Sequence, residues 1–189
     1  MLDSPNSQNS DFVRLRIIGT AIVSALIFSL LLWTHFHGGV PSHHILNQKN
    51  LPEISNWWGG ILLPVLAWIL LGKIGVRMQK QDSSSGQYKS LAAIIIRLFI
   101  IGLLLGIILA VSFTNDYKLF LDNVLFILLI LSLLVPIYYS EFILGFVVGM
   151  TYTFGALLPT AFVLIMAGIG FLIYRFVRPL LLKMVKSRN

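Results

Sequence analysis

The chain contains no cysteine, which excludes disulfides, thiolate metal sites and a cysteine nucleophile. It is also poor in charge: 11% of its residues are charged and 57% are hydrophobic, whereas a soluble domain carries about 25% charged residues. No Walker loop, Rossmann glycine fingerprint, GxSxG elbow or HExxH motif occurs, so nothing supports an ATPase, a dehydrogenase or a zincin. These absences favour an integral membrane protein.

Long apolar runs separated by short polar stretches fill the sequence. A helix needs roughly 20 residues to cross a ~30 Å hydrocarbon core, and the chain has room for six such helices. The predicted spans cover about residues 17–34, 57–76, 91–113, 119–139, 142–158 and 160–177. The predicted fold is therefore all-α: a polytopic integral membrane helical bundle in which residues 1–189 form a single transmembrane domain.

The last third of the chain admits two interpretations, because residues 142–176 are long for one span and short for two. They form either two spans, broken near Gly155 and Pro159, or one span with a re-entrant segment. With six crossings, 12 of the 14 basic residues lie on one side, and only Lys49 and Lys118 lie on the other. The positive-inside rule then predicts two cytoplasmic termini, whereas five spans would place the basic tail outside. We expect a multi-pass protein of a bacterial inner (plasma) membrane.

The net charge of +7 comes from basic residues at the ends of the apolar runs. Anionic lipid headgroups lie at that depth. The charge therefore indicates the lipid bilayer, and not nucleic acid, as the partner.

All four histidines lie in the connection between the first two spans: His35, His37, His43 and His44. Neutral imidazole is a common ligand of transition metals, so the cluster predicts a metal site for Zn, Cu or Fe. Glu53, Asp116 and Asp122 lie on the same predicted side and could complete the ligand set. The alternatives are interfacial histidines that cap helices and hydrogen-bond to the backbone, or histidines that handle a substrate or a proton without metal.

Two charged residues within or beside the later spans are further candidates. Arg97 lies about six residues into the third span, so it either extends its side chain to the headgroups or pairs with an acid. We expect its partner to be Glu141, between the fourth and fifth spans, either as structural support or on an ion pathway. Glu53, Glu141 and Arg97 are the candidate catalytic residues.

Two stripes of small residues, Gly102-x-x-x-Gly106 and Gly145-x-x-x-Gly149, would let helices approach closely. They predict either ordinary packing within the bundle or a homo- or hetero-oligomer. The fifth predicted span is interrupted by glycine and proline. It is either a tightly packed central helix whose hydroxyl groups hydrogen-bond to its own carbonyls or a span that lines a transporter cavity.

Three functions are compatible with these patterns. The leading hypothesis is a membrane-embedded enzyme or redox subunit with the histidine site at its outer face. The alternatives are a small permease or channel, and a non-catalytic scaffold subunit of a membrane complex.

Overall fold

The structure, a computed structural model, describes residues 5–39, 42–44, 53–80 and 86–186. In chain order the elements are α1 (Pro5–Phe36), β1 (Ser42–His44), β2 (Glu53–Ser55), α2 (Trp57–Gln79), α3 (Gly86–Thr114), α4 (Lys118–Leu134), α5 (Ser140–Phe154), α6 (Leu157–Leu172), a π-helical segment (Ile173–Val177) and α7 (Arg178–Lys186). The strands are three residues each and form one antiparallel hairpin. Since all the other elements are helices, the all-α prediction is confirmed.

Four helical segments of the described residues are long and apolar enough to cross a membrane. They are Phe12–Phe36, Trp57–Gln79, Gln87–Thr114 and Leu157–Met184. α4 and α5 are shorter, with 17 and 15 residues, or about 25 and 22 Å at ~1.5 Å per residue. The protein is thus a membrane protein with a helix in each predicted span, while the number of crossings and the sides of the termini stay predictions.

Proline ends α4 earlier than the sequence suggested. The helix stops at Leu134, and Val135 is extended with φ −124° and ψ 135°. Val135 precedes Pro136, whose ring disfavours the helical conformation in the residue before it. Residues 135–139 therefore form a turn into α5 instead of a last helical turn of α4.

Glycine, not proline, separates α5 from α6. Gly155 has a φ of +68°, a conformation that glycine adopts at little cost. Pro159, which we expected after the end of the fifth span, lies in the first turn of α6. Proline is tolerated there because an amide at that position has no partner within the helix.

α5 is the central helix of the bundle. Its residues Phe142, Phe146 and Val147 are 0% exposed. One end of α5 contacts Arg77 at the end of α2, and Gly155 beyond its other end abuts Asn56 just before α2. α5 therefore runs antiparallel to α2 along most of its length. We call the two ends of the bundle the Arg77 end and the Trp57 end.

The two glycine stripes pack against each other. A Cβ atom on Gly106 would lie 2.5 Å from the carbonyl oxygen of Phe146, and one on Gly149 would lie 2.5 Å from that of Leu103. These contacts make α3 and α5 parallel neighbours with touching backbones, as small residues in membrane helices permit. Packing within the bundle is confirmed, so an oligomer built on these faces would have to displace it.

Candidate functional site

Glu141, in the first turn of α5, is a fully buried charged residue, with a side chain 1% exposed. Its partner is Arg77, in the last turn of α2, whose side chain is 30% exposed. Arg77 Nη2 donates a hydrogen bond of 2.5 Å to Glu141 Oε1. This ion pair joins α2 to the central helix.

Both partners lie at helix ends that suit their charge. An acid in the first turn of a helix and a base in the last turn both interact favourably with the helix dipole. Tyr139 precedes α5 in an extended conformation, and its ring lies under the Arg77 guanidinium, 4.6 Å from centroid to Cζ. The arginine is thus held by a carboxylate on one side and an aromatic face on the other.

The ion pair is incompletely satisfied. Arg77 Nε and Glu141 Oε2 are buried and have no hydrogen-bond partner among the described residues of the protein. A buried polar atom without a partner costs about 1–3 kcal/mol, and such atoms are rare enough to call for an explanation. The site therefore offers one free donor and one free acceptor to a water molecule, an ion or a ligand.

Aromatic rings continue from the pair across the Arg77 end of the bundle. The Tyr138 ring lies 4.9 Å from that of Tyr139 and 5.9 Å from that of Tyr174, and Arg178 lies 4.4 Å above the Tyr174 ring. We call this series, from Arg77 through the three tyrosines to Arg178, the tyrosine–arginine ladder. Burial raises the pKa of Tyr138, in the turn between α4 and α5, to about 12.

The expected partner of Glu141 was wrong. Arg97 is exposed on α3, and Arg77 takes its place. The α3 face against α5 includes Phe99 and Gly102, and Arg97, two residues before Phe99, is rotated from it by roughly 200° at 3.6 residues per turn. Arg97 therefore points away from the carboxylate, and its catalytic role, like that of Glu141, stays a prediction.

The described histidines make ordinary interfacial contacts. The His37 ring stacks on that of Trp33 at 3.9 Å, and its Nδ1 lies 2.9 Å from the Trp33 carbonyl oxygen. His35 presents its ring to Trp57 at 6.1 Å. Both residues are exposed, which fits histidines that cap the end of α1 and hydrogen-bond to the backbone.

The other two histidines belong to the hairpin. The backbone register places His44 opposite Glu53 and His43 opposite Ile54, and the side chains of these residues lie outside the described set. No group of three metal-ligating residues forms within the described parts of the chain, and the metal site at the four histidines stays a prediction.

A second arginine contact, between α1 and α2 at the surface of the bundle, was not anticipated. Arg16 Nε donates a hydrogen bond of 2.9 Å to the Trp68 carbonyl oxygen, and its Cζ lies 3.8 Å above the Trp68 ring. Gly72, one turn later, provides the space, since a Cβ there would lie 2.8 Å from Arg16 Cζ. The sequence signal was a glycine four residues after a tryptophan on one helix face. This signal did not indicate that Arg16 would be the residue in contact with them.

Comparison with family models, curated proteins and solved structures gives no match for this chain. The fold and the site together define a multi-pass membrane protein whose central helix carries a buried, incompletely satisfied ion pair.

Proposed function

We propose that this protein is a small permease or channel and that the Arg77–Glu141 pair closes its pathway. The observation that carries the proposal is the buried pair with a free carboxylate oxygen and a free guanidinium N–H. Ionisable residues within membrane helices are costly and mostly serve substrate or ion pathways. When the pair opens, Glu141 can accept a cation or a proton, and Arg77 can accept an anion.

The energetic argument disfavours a purely structural role. Desolvating two charges costs several kcal/mol per ion, and well-packed apolar residues often hold helices together as well or better. The α3–α5 contact already supplies such packing through its glycines. A charged pair at the end of the same helix is better explained by a function that uses charge.

The shape of α5 supports the same proposal. The helix has 15 residues, shorter than the roughly 20 that a complete crossing needs, and Gly155 interrupts the chain directly after it. Short, glycine- or proline-interrupted helices commonly form the binding sites of transporters.

We assign the Arg77 end to the cytoplasm, with six crossings and both termini on that side. Basic residues of the described helices gather at this end, from Lys73 on α2 to Lys183 on α7, whereas Lys118 lies at the opposite end. This asymmetry is what the positive-inside rule requires. The membrane that we propose is a bacterial inner (plasma) membrane.

The test is flux through the purified full-length protein in liposomes, with imposed gradients of H⁺, K⁺ and Cl⁻ as probes. We expect the wild type to dissipate at least one gradient and Glu141→Gln to change that rate at least about tenfold. Asp116→Asn removes an exposed carboxylate, 75% accessible, and should leave the rate unchanged.

A double variant separates function from folding. Glu141→Gln alone leaves Arg77 unpaired, which costs about 3–5 kcal/mol in a buried pair and can unfold the protein. Arg77→Met combined with Glu141→Leu removes both charges and should fold at least as well as the wild type. Flux of this double variant equal to the wild-type rate, or a wild type that conducts none of the three probes, would refute the proposal.

One observation favours a second candidate, an enzyme or redox subunit with a histidine site. The hairpin register brings the backbone of His44 opposite Glu53, directly before the Trp57 that His35 contacts. Protein purified in metal-replete medium without chelators should then contain Zn, Cu or Fe, and His35→Ala with His37→Ala should lose it. Metal-free wild-type protein would exclude this candidate.

A further inference from the structure

We propose that Arg178, at the far end of the tyrosine–arginine ladder, and Arg175, three residues before it, bind the phosphate group of an anionic phospholipid. The lipid belongs to the leaflet at the Arg77 end of the bundle. This inference is independent of the proposed transport activity, because it concerns the surface of the bundle and not a pathway through it.

The first argument is uncompensated charge. In residues 57–80 and 86–186 the acidic residues are Asp116, Asp122 and Glu141, and Glu141 is already paired with Arg77. The other two lie at the Trp57 end. Neither Arg175 nor Arg178 forms an ion pair with any of these three acidic residues.

The second argument is geometric preorganisation. Tyr174 holds the Arg178 guanidinium over its ring at 4.4 Å, and the Tyr174 ring is itself fixed 5.9 Å from Tyr138. A guanidinium held by stacking keeps its N–H fork free for two parallel hydrogen bonds to phosphate oxygens.

The backbone contributes as well. Arg175 belongs to the π-helical segment Ile173–Val177, and Pro179 follows four residues after Arg175. In a regular α-helix the proline ring would clash with the Arg175 carbonyl, and the wider π-helical turn avoids that clash. Single π-helical turns are frequent at functional sites, and this one contains Arg175 and ends directly before Arg178, the first residue of α7.

The flanking surface identifies the source of the phosphate as a lipid. Leu180, Leu182 and Met184 on α7 are 62%, 59% and 68% exposed, and Lys183 lies among them. Apolar side chains beside basic ones are typical of helices at the membrane interface, with the apolar face in the acyl region. Tyrosine rings are enriched at the same depth. A free phosphate ion would gain nothing from these apolar side chains.

The experiment measures lipid binding to the full-length protein in a neutral detergent by native mass spectrometry. Phosphatidylglycerol is the anionic probe, phosphatidylcholine the zwitterionic probe, and inorganic phosphate the competitor. We expect phosphatidylglycerol to bind at least about tenfold more tightly than phosphatidylcholine, and Arg175→Gln with Arg178→Gln to remove about tenfold or more of that affinity. Millimolar inorganic phosphate should not displace the lipid.

The matched control is Lys80→Gln with Lys89→Gln, which removes the same charge from two exposed residues at the same end. It should change the affinity by less than about twofold. An equal loss in both double variants would mean that only net charge matters, and displacement by phosphate would mean a site for the free ion. Either result, or no preference for the anionic lipid, overturns the proposal.

A milder variant keeps the test valid if the double substitution does not fold. Arg178→Lys preserves the charge but loses the planar fork and the stacking on Tyr174. We expect it to lower the affinity for phosphatidylglycerol at least about threefold. Unchanged affinity in this variant overturns the proposed geometry.

Discussion

Replacing Gly149 by alanine should force α3 and α5 apart. The new Cβ would lie 2.5 Å from the Leu103 carbonyl oxygen and 3.0 Å from the Ile107 amide nitrogen. Both are backbone atoms in the middle of a helix, so no side chain can rotate to make room. Close C–H···O contacts need about 3.3–3.6 Å, and the two helices must therefore separate by roughly 1 Å.

The size of the destabilisation follows from the loss of contact along the interface between α3 and α5. A gap of about 0.5–1 Å forfeits a quarter to a half of each dispersion well, and overpacking typically costs about 1–3 kcal/mol. The helix propensity of alanine returns at most about 1 kcal/mol of this. We expect Gly149→Ala to lower the free energy of unfolding by about 1–2 kcal/mol.

Gly168→Ala is the matched control. Gly168 lies on α6, is exposed, and has no atom within 4 Å of an added Cβ. Titration of both variants with sodium dodecyl sulfate in mixed micelles, followed by circular dichroism, gives the difference in unfolding free energy. The control should match or exceed wild-type stability, and a Gly149→Ala protein as stable as the control would refute the close packing of α3 and α5.

The double variant Gly106→Ala with Gly149→Ala tests the mechanism. A Cβ on Gly149 would lie 3.2 Å from the Cα of Gly106, so a single separation of the helices relieves both clashes. Neighbouring substitutions that share one structural response are non-additive. The double variant should therefore lose less unfolding free energy than the two single variants lose together. Strictly additive losses would contradict a rigid movement of one helix against the other.

Three other expectations follow from the structure. Because the chain has no native cysteine, single introduced cysteines can report the topology. In sealed cells an impermeant maleimide should label Phe36→Cys and not Lys183→Cys. Labelling of both variants from one side would exclude the proposed orientation. Arg16→Leu removes the hydrogen bond and the stacking on α2 and should cost about 1–3 kcal/mol in the same detergent titration, whereas Arg14→Leu at an exposed position should be neutral. Phe142→Ala empties a fully buried position and should cost about 3–5 kcal/mol, so a loss below about 1 kcal/mol would argue against α5 as the central helix.

Local chemistry accounts for what could be predicted of the fold. The length of an apolar run fixes whether a helix can cross a membrane, so the membrane class and the positions of the helices followed from the sequence. Helix ends were harder to predict, because a proline can either end one helix or lie in the first turn of the next. Pro136 ended α4 earlier than expected, and Pro159 began a helix instead of ending one.

The candidate site depended on rotation about the helix axes, which the sequence does not specify. Depth along the axis made Arg97 as reasonable a partner for Glu141 as Arg77, and only the packing of α5 between α2 and α3 decided for Arg77. The small residues of two glycine stripes were visible in the sequence, but their mutual contact was not. The sequence by itself determined which segments enter the membrane, since hydrophobicity is a property of each segment. The tertiary structure alone decided which charges meet, since that depends on how the helices are arranged and turned around one another.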